Sequence, residues 1–181
     1  MGKNPRTRRS RDLRRRIGNR PPYARVLIVC EGSKTECNYF DEIRQKLRIP
    51  TAHLYAIPSR SGTDPKHVVQ SAESEFYFRG KSFERIYAVF DRDDHPEYAN
   101  AIHMAEAKEK QNIKNDLKEQ VTFEAIVSVP CFELWLLLHF SEVQSQIDRE
   151  TVCNRLRAHI SGYEKGMQNL FKLTESNSPN R

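Results

Sequence analysis

Asp91, Asp93 and Asp94 follow directly on the apolar run Ile86-Tyr87-Ala88-Val89-Phe90. Carboxylates crowded into four positions repel one another and resist ionising together. They persist when water solvates them or when a hard divalent cation sits among their oxygens. Asp91 and Asp93 are two apart, so in an extended chain both point the same way. Asp94, just before His95-Pro96, fits the start of a helix better than a ligand set. A further acid, Glu31, ends the apolar run Val26-Leu27-Ile28-Val29-Cys30 and precedes Gly32. Glu31, Asp91 and Asp93 are therefore candidate metal ligands, provided the fold brings the two runs together.

The elements around them are readable. Unbroken apolar runs of five or six residues, rich in branched and aromatic side chains, predict strands buried on both faces at 25–30 and 86–90. A weaker strand is predicted at 53–57 and another at 121–127. Ser33-Lys34-Thr35-Glu36 matches a capping box and predicts a helix to about Leu47, with Tyr39, Phe40, Ile43 and Leu47 as its apolar stripe. Asp64-Pro65 opens a second helix that ends at Gly80. A third helix, mostly polar, runs to about Asn115. Pro130 starts a fourth, Phe132 to Phe140, apolar almost all round and so expected in the core, Trp135 included. A helix is predicted over 149–160, with Gly162 stopping it. This β-α-β-α-β-α-β-α order implies an α/β fold with a parallel sheet of about four strands and helices on both faces. Ligands in such sheets sit beyond the carboxyl ends of the strands. If the strands ending at Glu31 and Asp91 are neighbours, the three acids converge.

The 181 residues suffice for one domain with a sizeable core, and the mean hydropathy is −0.75. The net charge of +6 is unevenly spread. Residues 1–22 hold nine basic residues against one acid, net +8, and the remainder 21 against 23, net −2. An arm with so little apolar content is expected to be disordered. Its Arg6, Arg8, Arg9, Arg11, Arg14, Arg15 and Arg16 suit a phosphate backbone through counterion release; a solubilising tail, or a tail that docks on an acidic partner, fits the same composition. The expected division is an arm over 1–22, one domain over 23–173 and a disordered tail over 174–181. Cysteines 30, 37, 131 and 153 include no C-x-x-C pair, which argues against a zinc knuckle or redox pair and for reduced, mostly buried thiols in a cytoplasmic protein. No apolar run is long enough to span a membrane, and the basic amino terminus lacks a secretory signal's apolar region. No internal repeat is visible.

An apolar strand ending in Glu-Gly and a later one ending in Asp-x-Asp resemble the Toprim catalytic domain. Three stretches together are more specific: Ile28-Val29-Cys30-Glu31-Gly32-Ser33-Lys34-Thr35-Glu36, Phe90-Asp91-Arg92-Asp93-Asp94, and Pro130-Cys131-Phe132-Glu133-Leu134-Trp135-Leu136-Leu137-Leu138-His139-Phe140. They resemble the RloB-like family over about Val26 to Tyr163. The family pattern has Pro where Cys37 stands, and related chains usually continue with another helical stretch after Tyr163. The resemblance implies a Toprim-type nuclease of a bacterial defence module, dependent on Mg²⁺ or Mn²⁺ and commonly encoded beside an AAA/ABC-type ATPase. DNA and RNA, tRNA included, remain open as substrates, and so does a homo-oligomer. It implies that Glu31, Asp91 and Asp93 hold the metal and that Glu31, Lys34 and Glu133 serve catalysis.

Each of these residues has a plainer reading. Glu31 can be a turn acid beside Gly32, and Glu36 the distal member of a capping box. Glu133 in the first turn of a helix is stabilised by the helix dipole, or it completes a second metal site. His139 lies six positions on, about 120° round the helix, so it shares no face with Glu133 and is expected to be a satisfied core histidine. Gly32-Ser33-Lys34-Thr35 is not a phosphate-binding loop, because Ser33 separates the glycine from the lysine. The rival function is a non-catalytic Toprim-like subunit of an ATPase complex. Nucleotidyl transfer, as in primases, needs a nucleotide site that the sequence does not display.

Overall fold

The computed structural model describes residues 23–92 and 95–177. Four strands, β1 (Val26–Cys30), β2 (Leu54–Pro58), β3 (Arg85–Asp91) and β4 (Thr122–Ser128), form one all-parallel sheet in the order β2-β1-β3-β4. Helices α1 (Thr35–Lys46), α2 (Pro65–Phe78) and α3 (Tyr98–Lys110) are its crossovers, followed by α4 (Phe132–Leu137), α5 (Arg149–His159) and α6 (Leu170–Glu175). The expected α/β architecture is present, and the two strands that precede the acids are neighbours.

Strand alternation sorts the core. Leu27 and Val29 of β1, with Ile86, Ala88 and Phe90 of β3, pack against Val68, Val69, Ala72 and Phe76 of α2 and Ala101 and Ala105 of α3. Ile28, Cys30 and Val89 face the other way, towards Cys37 and Phe40 of α1. On β3, Asp91 belongs to the set of Tyr87 and Val89, the side of the sheet that α1 covers. A second core lies beyond α1, where Tyr39 meets Phe132 and Leu136 of α4, Val152 and Leu156 of α5, Tyr163 and Leu170.

Several local expectations are corrected. Asp64 caps α2 as predicted, accepting from the Lys66 N–H at 2.9 Å. The capping box ahead of α1 does not form: Lys34 occupies the cap position and no side chain bonds there. Helix α4 is six residues long, and it buries one side only. Phe132, Glu133, Leu136 and Leu137 are inside, whereas Trp135 and Leu138 are among the exposed large apolar residues. Trp135 is thus not core, although its indole N–H donates to Tyr39 Oη at 3.1 Å. Helix α6 was not anticipated, and it carries buried Thr174 past the point where the sequence reading ends the domain. All four cysteines are free thiols, three of them buried. No helix among the described residues is long and apolar enough to cross a membrane.

Candidate functional site

The parallel register sets Cys30 of β1 beside Val89 of β3. The Glu31 N–H makes the next rung, donating to Val89 O at 2.8 Å. There β1 turns away, and the next amide of β3 has no strand carbonyl to meet. The Glu31 side chain takes that role: Asp91 N–H donates to Glu31 Oε2 at 2.9 Å. The bond fixes the Glu31 carboxylate against the end of β3, beside a residue that is itself 5% exposed. On its other flank Asp91 pairs with Ser128 of β4, and Arg92 N–H continues to Ser128 O at 2.8 Å.

Two nitrogen-bearing side chains, Arg149 and His95, rim this pair. Arg149, the first residue of α5, brings Nη2 to 3.9 Å from Asp91 Oδ2. His95 brings Nε2 to 4.0 Å from Glu31 Oε1. Arg149 is held at the helix start by Asp148, whose carboxylate accepts from the Thr151 N–H at 2.9 Å and its hydroxyl at 2.6 Å.

Two more acids come near from other elements. Glu133 is buried in the first turn of α4, and its Oε1 accepts from the Tyr163 hydroxyl at 3.1 Å. Burial pushes the Tyr163 phenol and the Cys131 thiol well up, and the negative charge of Glu133 pushes both further. Glu36 lies over Gly32, where a Cβ would come within 2.7 Å of Glu36 Oε2, so the missing side chain of Gly32 makes room for this carboxyl. Burial raises the Glu36 carboxyl above the ordinary range, with Glu133 and Glu31 adding to the rise. Glu31, Glu36, Asp91 and Glu133 therefore crowd negative charge at the carboxyl edge of the sheet.

A family model described as RloB-like protein matches residues 26–179. The chain belongs to the RloB-like family. No curated protein and no solved structure matches it. The match extends beyond Tyr163, where the resemblance read from the sequence ends, and takes in α6.

Within this RloB-like domain the structure joins Glu31 to Asp91 and sets Glu133 in the same acidic neighbourhood. Asp93 lies outside the described residues, as do Arg6, Arg8, Arg9, Arg11, Arg14, Arg15 and Arg16 of the arm. Lys34 is exposed, with its aliphatic stem laid over Gly166, where a Cβ would fall 2.9 Å from Lys34 Cβ and Cδ. His139 stays apart from the acids: its Nδ1 donates to the Trp135 carbonyl at 2.9 Å, and its ring stands edge-on to the Trp135 indole. Sequence reasoning gave Glu36 a capping role and missed His95, Arg149 and Tyr163. Only His95, four residues after Asp91, lay close enough along the chain to have been flagged.

Among the described residues, no group of three or more His, Cys, Asp or Glu is arranged to hold a metal ion. The described donors are two carboxylates, Glu31 and Asp91. Mg²⁺ is commonly bound by one or two carboxylates, with waters and substrate phosphate oxygens completing its shell. This all-oxygen pair in an acidic pocket fits that chemistry.

The raised Glu36 carboxyl gives a stability test. A carboxyl whose folded pKa exceeds its unfolded one favours folding in full below the unfolded value, and that contribution is lost as pH rises through the folded value. The ionised form of Glu36 thus works against the fold. Glu36→Gln is expected to raise the melting temperature at pH 7.5, by about 1–4 °C. The gain should shrink to nothing as the pH falls well below the ordinary glutamate value of about 4.3, where the parent side chain is protonated in both states. Thermal melts of both proteins across that range check it, and a gain independent of pH refutes it.

Proposed function

We propose that this RloB-like protein is a nuclease dependent on Mg²⁺ or Mn²⁺, hydrolysing phosphodiester bonds of DNA or RNA in bacterial anti-phage defence beside an ATPase partner. The observation that carries the reading is the bond from the Asp91 N–H to Glu31 Oε2. It joins the acids of two separate motifs at the sheet edge where α/β folds bind their ligands.

Glu31 and Asp91, with Asp93, are the residues that would hold the cation. A divalent cation in such a site supplies positive charge to the phosphate oxygens and lowers the pKa of bound water. The chain's own residues do the rest. The Asp91 amide fixes the orientation of Glu31 before substrate arrives, so no reorganisation is needed later. Arg149 and His95 stand where they can meet a phosphate approaching the two acids. Lys34 is a further cation in the loop after β1, and Glu133, held by Tyr163, adds fixed negative charge behind the pair. The arginines of the arm can track the backbone without reading sequence.

The second reading, a binding subunit of an ATPase complex with no chemistry of its own, draws on one observation. Ile126, Val129, Trp135 and Leu138 remain substantially exposed along β4 and α4. Contiguous apolar surface of this kind marks contact with another protein. Metal titration separates the two readings. Millimolar Mg²⁺ or Mn²⁺ at ten times its Kd should stabilise the chain by about 1.4 kcal/mol, a shift of a few degrees. With DNA or tRNA present, strand cleavage should accompany the shift. The triple variant Glu31→Ala, Asp91→Ala, Asp93→Ala should lose both. A parent protein that neither shifts nor cuts, with and without its ATPase, leaves the binding reading standing.

A further inference from the structure

A groove of about 1050 Å³ opens beside the acid pair, between the start of α3 and the segment from Val143 to Arg149. Two arginines, Arg149 and Arg92, make its end near the acids positive. Arg149 and His95 line it, and these are the side chains that approach Asp91 and Glu31. Arg92 is the second arginine there, its guanidinium 5.8 Å from the centroid of the Tyr98 ring. Among the described residues the one acid on the wall, Asp148, is already engaged with Thr151. Leu134, Leu138, Val143 and Ile147 form an apolar stretch of the remaining wall, with Ser145 and Gln146 beside it.

This polarity selects its occupant. A ligand must present an anion at the Arg149 end and a flat apolar surface along the wall. A nucleotide whose base has left the stack does both, because its phosphate and its ring face lie on one small unit. A base inside a duplex cannot, since its faces are covered by its neighbours. The size also fits: pockets of about 300–1,000 Å³ enclose ligands of drug size, so the groove holds a nucleotide with space for part of the next. Apolar and aromatic walls grip bases of any sequence.

We propose that this groove takes an unpaired nucleotide adjoining the phosphate at Glu31 and Asp91, so that the substrate is single-stranded nucleic acid: a loop, bulge or free end of RNA or DNA. Arg149 and His95 meet the phosphate, and Tyr98, Leu138 and Val143 flank the base. The inference rests on the nuclease reading for the position of that phosphate and adds the substrate class.

Binding can be read apart from cleavage. With the full chain in EDTA and about 200 mM salt, where backbone contacts from the arm are weakened, fluorescence anisotropy would compare labelled oligo(U) and oligo(dT) with a blunt duplex of equal length. The expected result is at least about tenfold tighter binding of one or both single strands. Leu138→Glu, which sets a charge on the apolar wall, should erase about tenfold of that preference and leave duplex binding unchanged. Ser145→Glu, on an exposed stretch of the groove rim, should act in the same direction and serves if Leu138→Glu fails to fold. Leu117→Glu, on exposed surface away from the groove, controls for added charge and should change nothing. Equal affinity for single strands and duplex overturns the proposal, as does parental single-strand binding by a folded groove variant. Adding Mg²⁺ to the same oligonucleotides distinguishes the two failures. Strand preference without cleavage removes the nuclease reading and keeps the groove; equal cleavage of single strands and duplex does the reverse.

Discussion

Asp91→Asn is expected to reduce phosphodiester cleavage by about 10³-fold, with the metal-free melting temperature within about 2 °C of the parent. The activity figure follows from the charge that a directly held cation lends to a phosphate in the transition state. Such stabilisation is worth several kcal/mol, and each 1.36 kcal/mol is a factor of ten in rate. The small effect on folding follows from the surroundings of Asp91. Asparagine has the same shape, and the bond to Glu31 Oε2 is made by the Asp91 backbone amide, which the substitution keeps. The ion pair with Arg149 is long at 3.9 Å and more than a third open to solvent on the arginine side, so little is lost there. Removing one of several crowded carboxylates also relieves repulsion, as functional sites that trade stability for activity often reveal when mutated. The decisive contrast is with metal present: Mg²⁺ should raise the parent's melting temperature and leave that of the variant unchanged. A variant that cuts at the parental rate removes Asp91 from the site.

The part of the site on the strands was legible because fully buried strands announce themselves. β1 and β3 are continuous apolar runs, and their exits are marked by the first acids that follow. Alternation with helices then forces parallel pairing, and parallel pairing places both exits at one edge. What could not be read is how the acids are held. The bond from Asp91 to Glu31 spans 60 residues and exists only because β1 ends one rung before β3. Arg149 comes from a helix after the strand–helix alternation has ended, and nothing in its local sequence separates it from other surface arginines.

Glu36 shows a local rule giving way to tertiary context. Ser33-Lys34-Thr35-Glu36 has the spacing of a capping box, yet α1 begins at Thr35, one residue too late for Ser33 to act as its cap. The carboxyl lies over Gly32 instead, next to the other acids. Helix α4 shows the complementary error. Its apolar run predicts a central position, but an apolar helix can lie at the border of a core with part of its surface outward. Trp135 tolerates that border because its indole N–H has a partner in Tyr39 while its ring stays partly wet.

Leu170→Ala is expected to cost about 2–5 kcal/mol of unfolding free energy, whereas Lys172→Ala on the same helix should cost less than about 0.5 kcal/mol. Helix α6 has six residues, too few for a periodic pattern to be recognised. Its start is set by a residue far back in the chain. The Glu42 carboxylate on α1 accepts from the Asn169 N–H at 2.6 Å and the Phe171 N–H at 2.8 Å, supplying a cap that no local motif contains. Thr174 adds a bond to Tyr39 at 3.3 Å, and Leu170 is fully buried in the core that Tyr39 shares with α4 and α5. Truncating Leu170 opens a cavity at the junction of α1 and α5, the helices that carry Glu36 and Arg149. Urea unfolding would measure the loss. Because Asp91 sits on β3 and Arg149 on α5, partial loosening should weaken nucleic-acid binding before it melts the sheet. Native stability in the Leu170→Ala protein would mean that α6 is a dispensable appendage, and that the second core closes without it.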